Sequence, residues 1–212
     1  MNIPPFTTDQ DPYWQVMPVF ANPIASCGID FDISKQLYDL APDQEWLEDA
    51  EADGSNGATT LDKHWLDSQP EIAEYIRDKC LSYIIDVLNY QTDIQFTSSW
   101  LTRTYKGGSC LQHSHTNSWF SGIIYFGAYD EDSAPIVFYD PLHKTINVEA
   151  FDYHYFNSRS WEIQPKTNLM LMFPSWVEHK VLLHKTDTKR YSLAFNIMPK
   201  GPAGHDDSVF EY

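Results

Sequence analysis

The apolar residues of this chain change rhythm near Tyr90. Before it, the stretch EIAEYIRDKCLSYIIDVLNY sets Ile72, Tyr75, Ile76, Cys80, Ile84, Val87 and Leu88 at helical spacing. Pro70 suits a first helical turn, so a helix is predicted from there. After Tyr90, the segments IQFTSSWLTRTY, FSGIIYF, PIVFY, LMLMF, KVLL and RYSLAFNIM are short β-type runs. Turn signals such as KGG, DEDSAP and HKTDTK separate them. Short strands with no helix between them predict a sandwich or open barrel, with the helix first and the barrel second.

Residues 1–30 are punctuated by proline and partly apolar (VMPVFANPIAS), which fits an extended arm or an edge strand. Residues 41–60 are acidic, contain glycine and hold few large apolar side chains, so a mobile loop is expected there. The division that follows is an N-terminal arm, acidic loop and helical support over 1–92, a β core over 93–200 and an acidic tail over 201–212, all in one compact domain. Neither an internal repeat nor a low-complexity tract interrupts it.

Composition narrows the function classes. Hydrophobic residues make up 42% and charged residues 21%, which is globular and not disordered. Aromatics reach 15%, in keeping with a β-rich core. Thirty acidic against 14 basic residues give a net charge of −16, which argues against duplex nucleic acid or an anionic membrane as partner. Cys27, Cys80 and Cys110 are too few and too scattered for a disulfide framework or a cysteine-rich zinc site, so reduced thiols are expected. No signal-peptide pattern opens the chain, and no apolar run approaches the ~18 residues of a membrane span. A soluble, cytoplasmic protein is the expectation.

The chemistry concentrates in QHSHTNSWFSGIIYF, residues 112–126. Side chains two apart share a face of an extended backbone, so His113 and His115 can grip one metal ion together. His179 follows an apolar run and a Pro-Ser-Trp turn, where barrel closure brings it beside the pair. Arg190, eleven residues further on, opens the strand RYSLAFN. A guanidinium entering an apolar, barrel-facing strand is costly unless it binds a carboxylate. His64, His143, His154, His184 and His205 lack partners at ligand spacing and read as surface or core residues.

This constellation resembles the Fe(II)/2-oxoglutarate-dependent oxygenases, within which it is similar to a bacterial and phage group with an H-x-H-x-N-S…S-G-x-x-Y pattern. The likeness runs from about Trp100 to Asn196 and includes Ser121-Gly122, Tyr125, VFYDP (137–141), FPSWVEH (173–179) and RYSLAFN (190–196). It implies a mainly β protein with N-terminal helices and a double-stranded β-helix (jelly roll, cupin-like) core. It also implies His113, His115 and His179 as metal ligands, with His115 standing where the superfamily has a carboxylate. Arg190 would pair with the distal carboxylate of 2-oxoglutarate, supported by the Tyr125 hydroxyl and by Ser192, which lies two along the same face from Arg190. Asn117 reads as a turn residue, and Phe120, Phe138, Phe173 and Trp176 as apolar walls or core.

The implied activity is a dioxygenase using Fe(II), 2-oxoglutarate and O2, hydroxylating a protein or peptide residue or a small metabolite with release of succinate and CO2. Two other ligand sets stay open: His115 and His179 with His113 outside the metal sphere and Asn117 at the i+2 position, or a zinc site that turns nothing over. At the level of function, the alternatives are a cupin-like metal-binding protein and a three-histidine dioxygenase that uses no keto acid. The buried arginine separates these from the first reading. Nothing in the sequence fixes substrate or oligomeric state.

Overall fold

A computed structural model describes residues 20–48, 56–142, 146 and 148–211. The chain enters through strand β1 (Ala25–Gly28), helix α1 (Phe31–Leu40) and the short strands β2 (Trp46–Glu48) and β3 (Gly57–Thr60). Helix α2 (Pro70–Leu81) then leads into β4 (Asp93–Thr104), β5 (Cys110–His113), β6 (Phe120–Tyr125) and β7 (Ile136–Tyr139). The strands β8 (Ser160–Ile163), β9 (Leu169–Pro174), β10 (His179–Val181) and β11 (Arg190–Lys200) follow, and β12 (Pro202–Ala203) pairs with β13 (Phe210–Glu211) at the end.

Two sheets carry the fold. The larger runs β1-β9-β6-β11-β4-β3-β2 and the smaller β5-β10-β7-β8, as a double-stranded β-helix requires. Strands β6 and β9 are buried on both faces and largely apolar at both positions of the strand period, whereas the central part of β11 is buried on both faces with polar residues on one of them. One face packs on the helices: Phe120, Ile124, Met170, Met172, Leu193 and Phe195 meet Leu37 of α1 and Ile72, Ile76 and Cys80 of α2. The other face looks between the sheets, where Ile123, Leu171 and Phe173 meet Ile136 and Phe138 of the smaller sheet.

Gly122 on β6 is required by close approach. It pairs across the ladder with Phe195, and a Cβ there would lie 2.1 Å from the Phe195 ring.

Two expectations are corrected. The stretch 41–60 is not one mobile loop: its ends form β2 and β3, which extend the larger sheet from β4, while residues 49–55 lie outside the described residues. The helix from Pro70 is α-helical only to Leu81. Residues Ser82–Val87 wind as a π-helix, with the Leu88 amide bonded to the Tyr83 carbonyl five residues back. This wider turn keeps Ile84 in the core and turns Val87 out to solvent, half exposed. Strand β1 is the edge strand expected within 1–30, paired to β9, and residues 1–19 lie outside the described residues.

Candidate metal centre and cavity

Strand β10 lies between β5 and β7 in the smaller sheet, with His179 directly opposite both His113 and Phe138. His115 stands two residues beyond the end of β5, so strand periodicity does not orient it. Its backbone N–H instead donates to the Ser175 carbonyl at 2.9 Å, in the turn between β9 and β10. The ring centroids are 4.4 Å apart for His113 and His179, 5.1 Å for His113 and His115, and 5.2 Å for His115 and His179. One ring nitrogen from each lies within 4.8 Å of the others. Among the described residues, no aspartate or glutamate joins the group.

The second nitrogens fix the tautomers. His113 Nδ1 is 2.8 Å from the Leu111 carbonyl and His179 Nδ1 is 3.0 Å from that of Val177. A carbonyl only accepts, so each Nδ1 carries the proton and each Nε2 presents its lone pair, the arrangement a ligating imidazole needs. Burial, then the charge of His113, holds His115 down at about 4. Burial likewise holds His179 at about 4, against the opposing pull of the Val177 hydrogen bond. Both rings are therefore neutral at physiological pH, as ligands must be. Phe173 and Phe138 pack on His179 with ring centroids at 4.8 and 5.9 Å.

A buried polar chain braces this end of the barrel. Ser121 donates to Asn196 Oδ1 at 2.7 Å, and Asn196 donates to Ser98 Oγ at 2.9 Å. The Ser121 hydroxyl is also 2.8 Å from that of Ser175, which reaches Ser118 at 3.0 Å. These residues tie β4, β6, β11 and the β9–β10 turn together, and the turn holds His115.

From the histidines a cavity of about 370 Å³ runs between the sheets toward Arg190. Arg190, Ser192, Ala194 and Asn196 occupy the inward face of β11, while Leu193, Phe195 and Ile197 face the helices. A strand that turns its polar face inward is costly unless something polar is bound there. Arg190 is 2% exposed, and its Nε donates to the Ala134 carbonyl at 3.0 Å and its Nη2 to the Tyr125 hydroxyl at 3.2 Å. Among the described residues it makes no salt bridge.

Tyr125 is fully buried behind Arg190 and does not line the cavity wall. Burial raises its pKa, against the guanidinium's opposing charge, so the hydroxyl keeps a proton to donate. Ser192 lines the cavity with its hydroxyl 2.6 Å from that of Thr102.

Several cavity residues carry no role in the sequence reading. Trp100, Thr102 and Thr104 line it from β4, and Trp100 lies 6.1 Å from the His115 ring between centroids. The alternation Ser98, Trp100, Thr102, Thr104 was their signal. Asn117 has φ +54 and serves the turn. Phe120 faces the helices, and Trp176 is exposed with its indole N–H bonded to Asn22, so neither walls the site. His184 is a core residue: Nδ1 accepts from the Ala134 amide at 3.2 Å and Nε2 donates to the Thr188 carbonyl at 2.5 Å. His64, His154 and His205 are at the surface, and His143 lies outside the described residues.

The fold recurs widely among solved structures. A 2OG-Fe(II) oxygenase family oxidoreductase from Burkholderia pseudomallei superposes with a TM-score of 0.62 at 11% identity, covering 82% of this chain and 83% of that one. HygX from Streptomyces hygroscopicus, with nickel and 2-oxoglutarate bound, gives 0.63 at 10% identity, with 84% and 83% covered. A Pseudomonas putida prolyl-4-hydroxylase gives 0.57 at 12% identity, with 84% and 95% covered. No curated protein sequence matches the chain. The family model described as "Putative 2OG-Fe(II) oxygenase" matches residues 98–196, the segment that holds His113, His115, His179 and Arg190.

Proposed function

We propose that the chain is an Fe(II)- and 2-oxoglutarate-dependent hydroxylase in which His113, His115 and His179 hold the iron, while Arg190 and Ser192 hold the distal carboxylate of 2-oxoglutarate and Tyr125 supports it from behind through Arg190. The observation that carries this reading is a buried guanidinium with no ion pair among the described residues, placed across one cavity from three convergent imidazoles. A metal-binding protein without a keto acid has no use for that charge, which is expensive to leave unpaired. Bound metal and keto acid supply the oxidising chemistry, in which O2-dependent decarboxylation to succinate and CO2 accompanies hydroxylation of a C–H bond.

The chain's own groups do the positioning. Arg190 offers a carboxylate its remaining N–H groups in a fixed fork, since the Ala134 carbonyl and the Tyr125 hydroxyl hold its other two donors. Tyr125 accepts from Arg190 and has its own proton to donate. Phe173 and Phe138 keep water from the His179 side of the metal. The cavity of about 370 Å³ must be shared with the keto acid, so the oxidised group is a small metabolite or one protruding side chain of a peptide. HygX has been crystallised with hygromycin B and SnoN with nogalamycin RO, which gives the small-molecule class precedent on this fold.

The test is anaerobic calorimetric titration of apoprotein with Fe(II) or Mn(II), then with 2-oxoglutarate. One equivalent of metal should bind, followed by the keto acid. Arg190→Ala should weaken the keto acid by about 2–5 kcal/mol, roughly 30-fold or more, with metal binding intact. Arg190→Lys should recover only part of it, because a lysine cannot make the fork. Metal binding with no keto-acid binding by the wild type would overturn the reading in favour of a cupin-like metal protein.

A further inference from the structure

The cavity is short of negative charge in a protein that otherwise has an excess of it. Among the described residues, none of those lining it is aspartate or glutamate, although the chain carries 30 acidic residues. Its titratable lining is two arginines, three histidines and Cys110. Arg103 is paired to Glu48, which leaves Arg190 as the lining arginine without an acidic partner among the described residues. A two-histidine, one-carboxylate triad contributes a negative charge to a divalent metal. On the oxygenase reading His115, an imidazole, takes the carboxylate's place, and no carboxylate joins the histidine group among the described residues.

The balance is then simple. The metal and Arg190 bring three positive charges, and a dianionic keto acid offsets two of them. One charge remains, at the end of the cavity where Trp100, Ile123 and Phe173 line a low-dielectric wall. An uncompensated charge in such surroundings is unfavourable until an anion joins it. The net charge of −16 does not forbid that anion, because the keto acid must pass the same mouth and screening confines surface charge to about 8 Å.

We propose that the substrate is itself a small carboxylic acid, whose carboxylate is held beside the histidine group by the charge that His115 leaves uncompensated. This rests on the oxygenase reading above. The size limit agrees with it, since a small acid fits the space that the keto acid leaves.

The test uses the full chain loaded with Mn(II) and saturating 2-oxoglutarate. Acetate and its neutral isostere acetamide are titrated by calorimetry, with the probe's methyl proton line followed by NMR. Acetate should bind at least about tenfold more tightly than acetamide, with its methyl line broadened by nearby Mn(II). In His115→Asp the added carboxylate should reduce that preference to about twofold or less. Where His115→Asp holds no metal, the comparison in the wild type decides alone. Failure of the wild type to bind metal or keto acid would overturn the oxygenase reading and this inference together. Intact metal and keto-acid binding with no preference for acetate, or a preference that persists in His115→Asp, overturns this inference alone.

Discussion

The carbonyl of Ser175 accepts the backbone N–H of His115 at 2.9 Å, so one histidine of the group is held by the turn that joins β9 of the larger sheet to β10, the neighbour of β5 in the smaller one. The Ser175 side chain in turn belongs to the polar chain through Ser121 and Asn196. Asn196→Ala leaves the Ser121 and Ser98 hydroxyls short of a partner in a mostly buried site. It should cost about 1–3 kcal/mol of stability, read as a lower Tm. It should also weaken Mn(II) binding without touching a ligand, because the turn that positions His115 loosens. Unchanged metal affinity in the variant would show that the network serves stability alone.

Gly122 and Phe195 share one volume. A methyl group on Gly122 would fall inside the Phe195 ring, which is itself fixed edge-on against Phe96 at 5.6 Å. Gly122→Ala should therefore destabilise by about 1–3 kcal/mol through overpacking. Adding Phe195→Leu should cost less in that background than in the wild type, since the two positions are in contact. Thermal unfolding of the four proteins gives the coupling, and strictly additive effects would exclude the clash as the cause.

Much of this was legible in the sequence because burial selected for it. The apolar runs that overlap β4, β6, β7, β9, β10 and β11 all face the core on at least one side. Strand β8 (SWEI) escaped notice and β5 (CLQH) was marked only by its His113, because both are edges of the smaller sheet and expose most of their side chains. Strands β2 and β3 read as loop because short segments such as WLE and GATT take their order from pairing onto β4, which local composition does not record. His113 and His179 followed from strand logic. His115 was identified for a reason that only half applies, since its place depends on Ser175, 60 residues away. The partnership of Ser121 and Asn196 spans 75 residues and leaves no local pattern.

The apoprotein should lose stability on mild acidification. His115 and His179 sit at about 4 in the fold, against an ordinary value of 6.5 once unfolded. Between those values the unfolded chain binds more protons than the native one, so stability falls as pH drops from about 6.5 toward 4 and is unaffected by these groups above 6.5. Urea midpoints across that window should show the slope. Each of His115→Gln and His179→Gln should flatten it, by up to about one proton's worth. A wild-type midpoint that is flat over this window would mean that the two rings take up protons equally in the folded and unfolded states.

The three thiols should separate by reactivity. Cys80 is fully buried on α2, and burial, with a smaller contribution from Cys27, pushes its pKa well up. Cys27 is on the exposed edge strand β1, yet burial around the sulfur raises its pKa, partly offset by Lys79. Cys110 is exposed at the cavity, with its sulfur 3.8 Å from His113 Nδ1. A thiol-disulfide reagent at neutral pH should therefore modify Cys110 first, Cys27 more slowly and Cys80 only at the rate of unfolding. Peptide mass spectrometry of timed samples gives the order. Because Cys110 adjoins His113, its modification by a bulky reagent should also lower Mn(II) affinity, whereas modification of Cys27 in Cys110→Ser should leave it unchanged. Labelling of Cys80 in native protein at the rate of Cys27 would contradict the packing of α2 against the larger sheet.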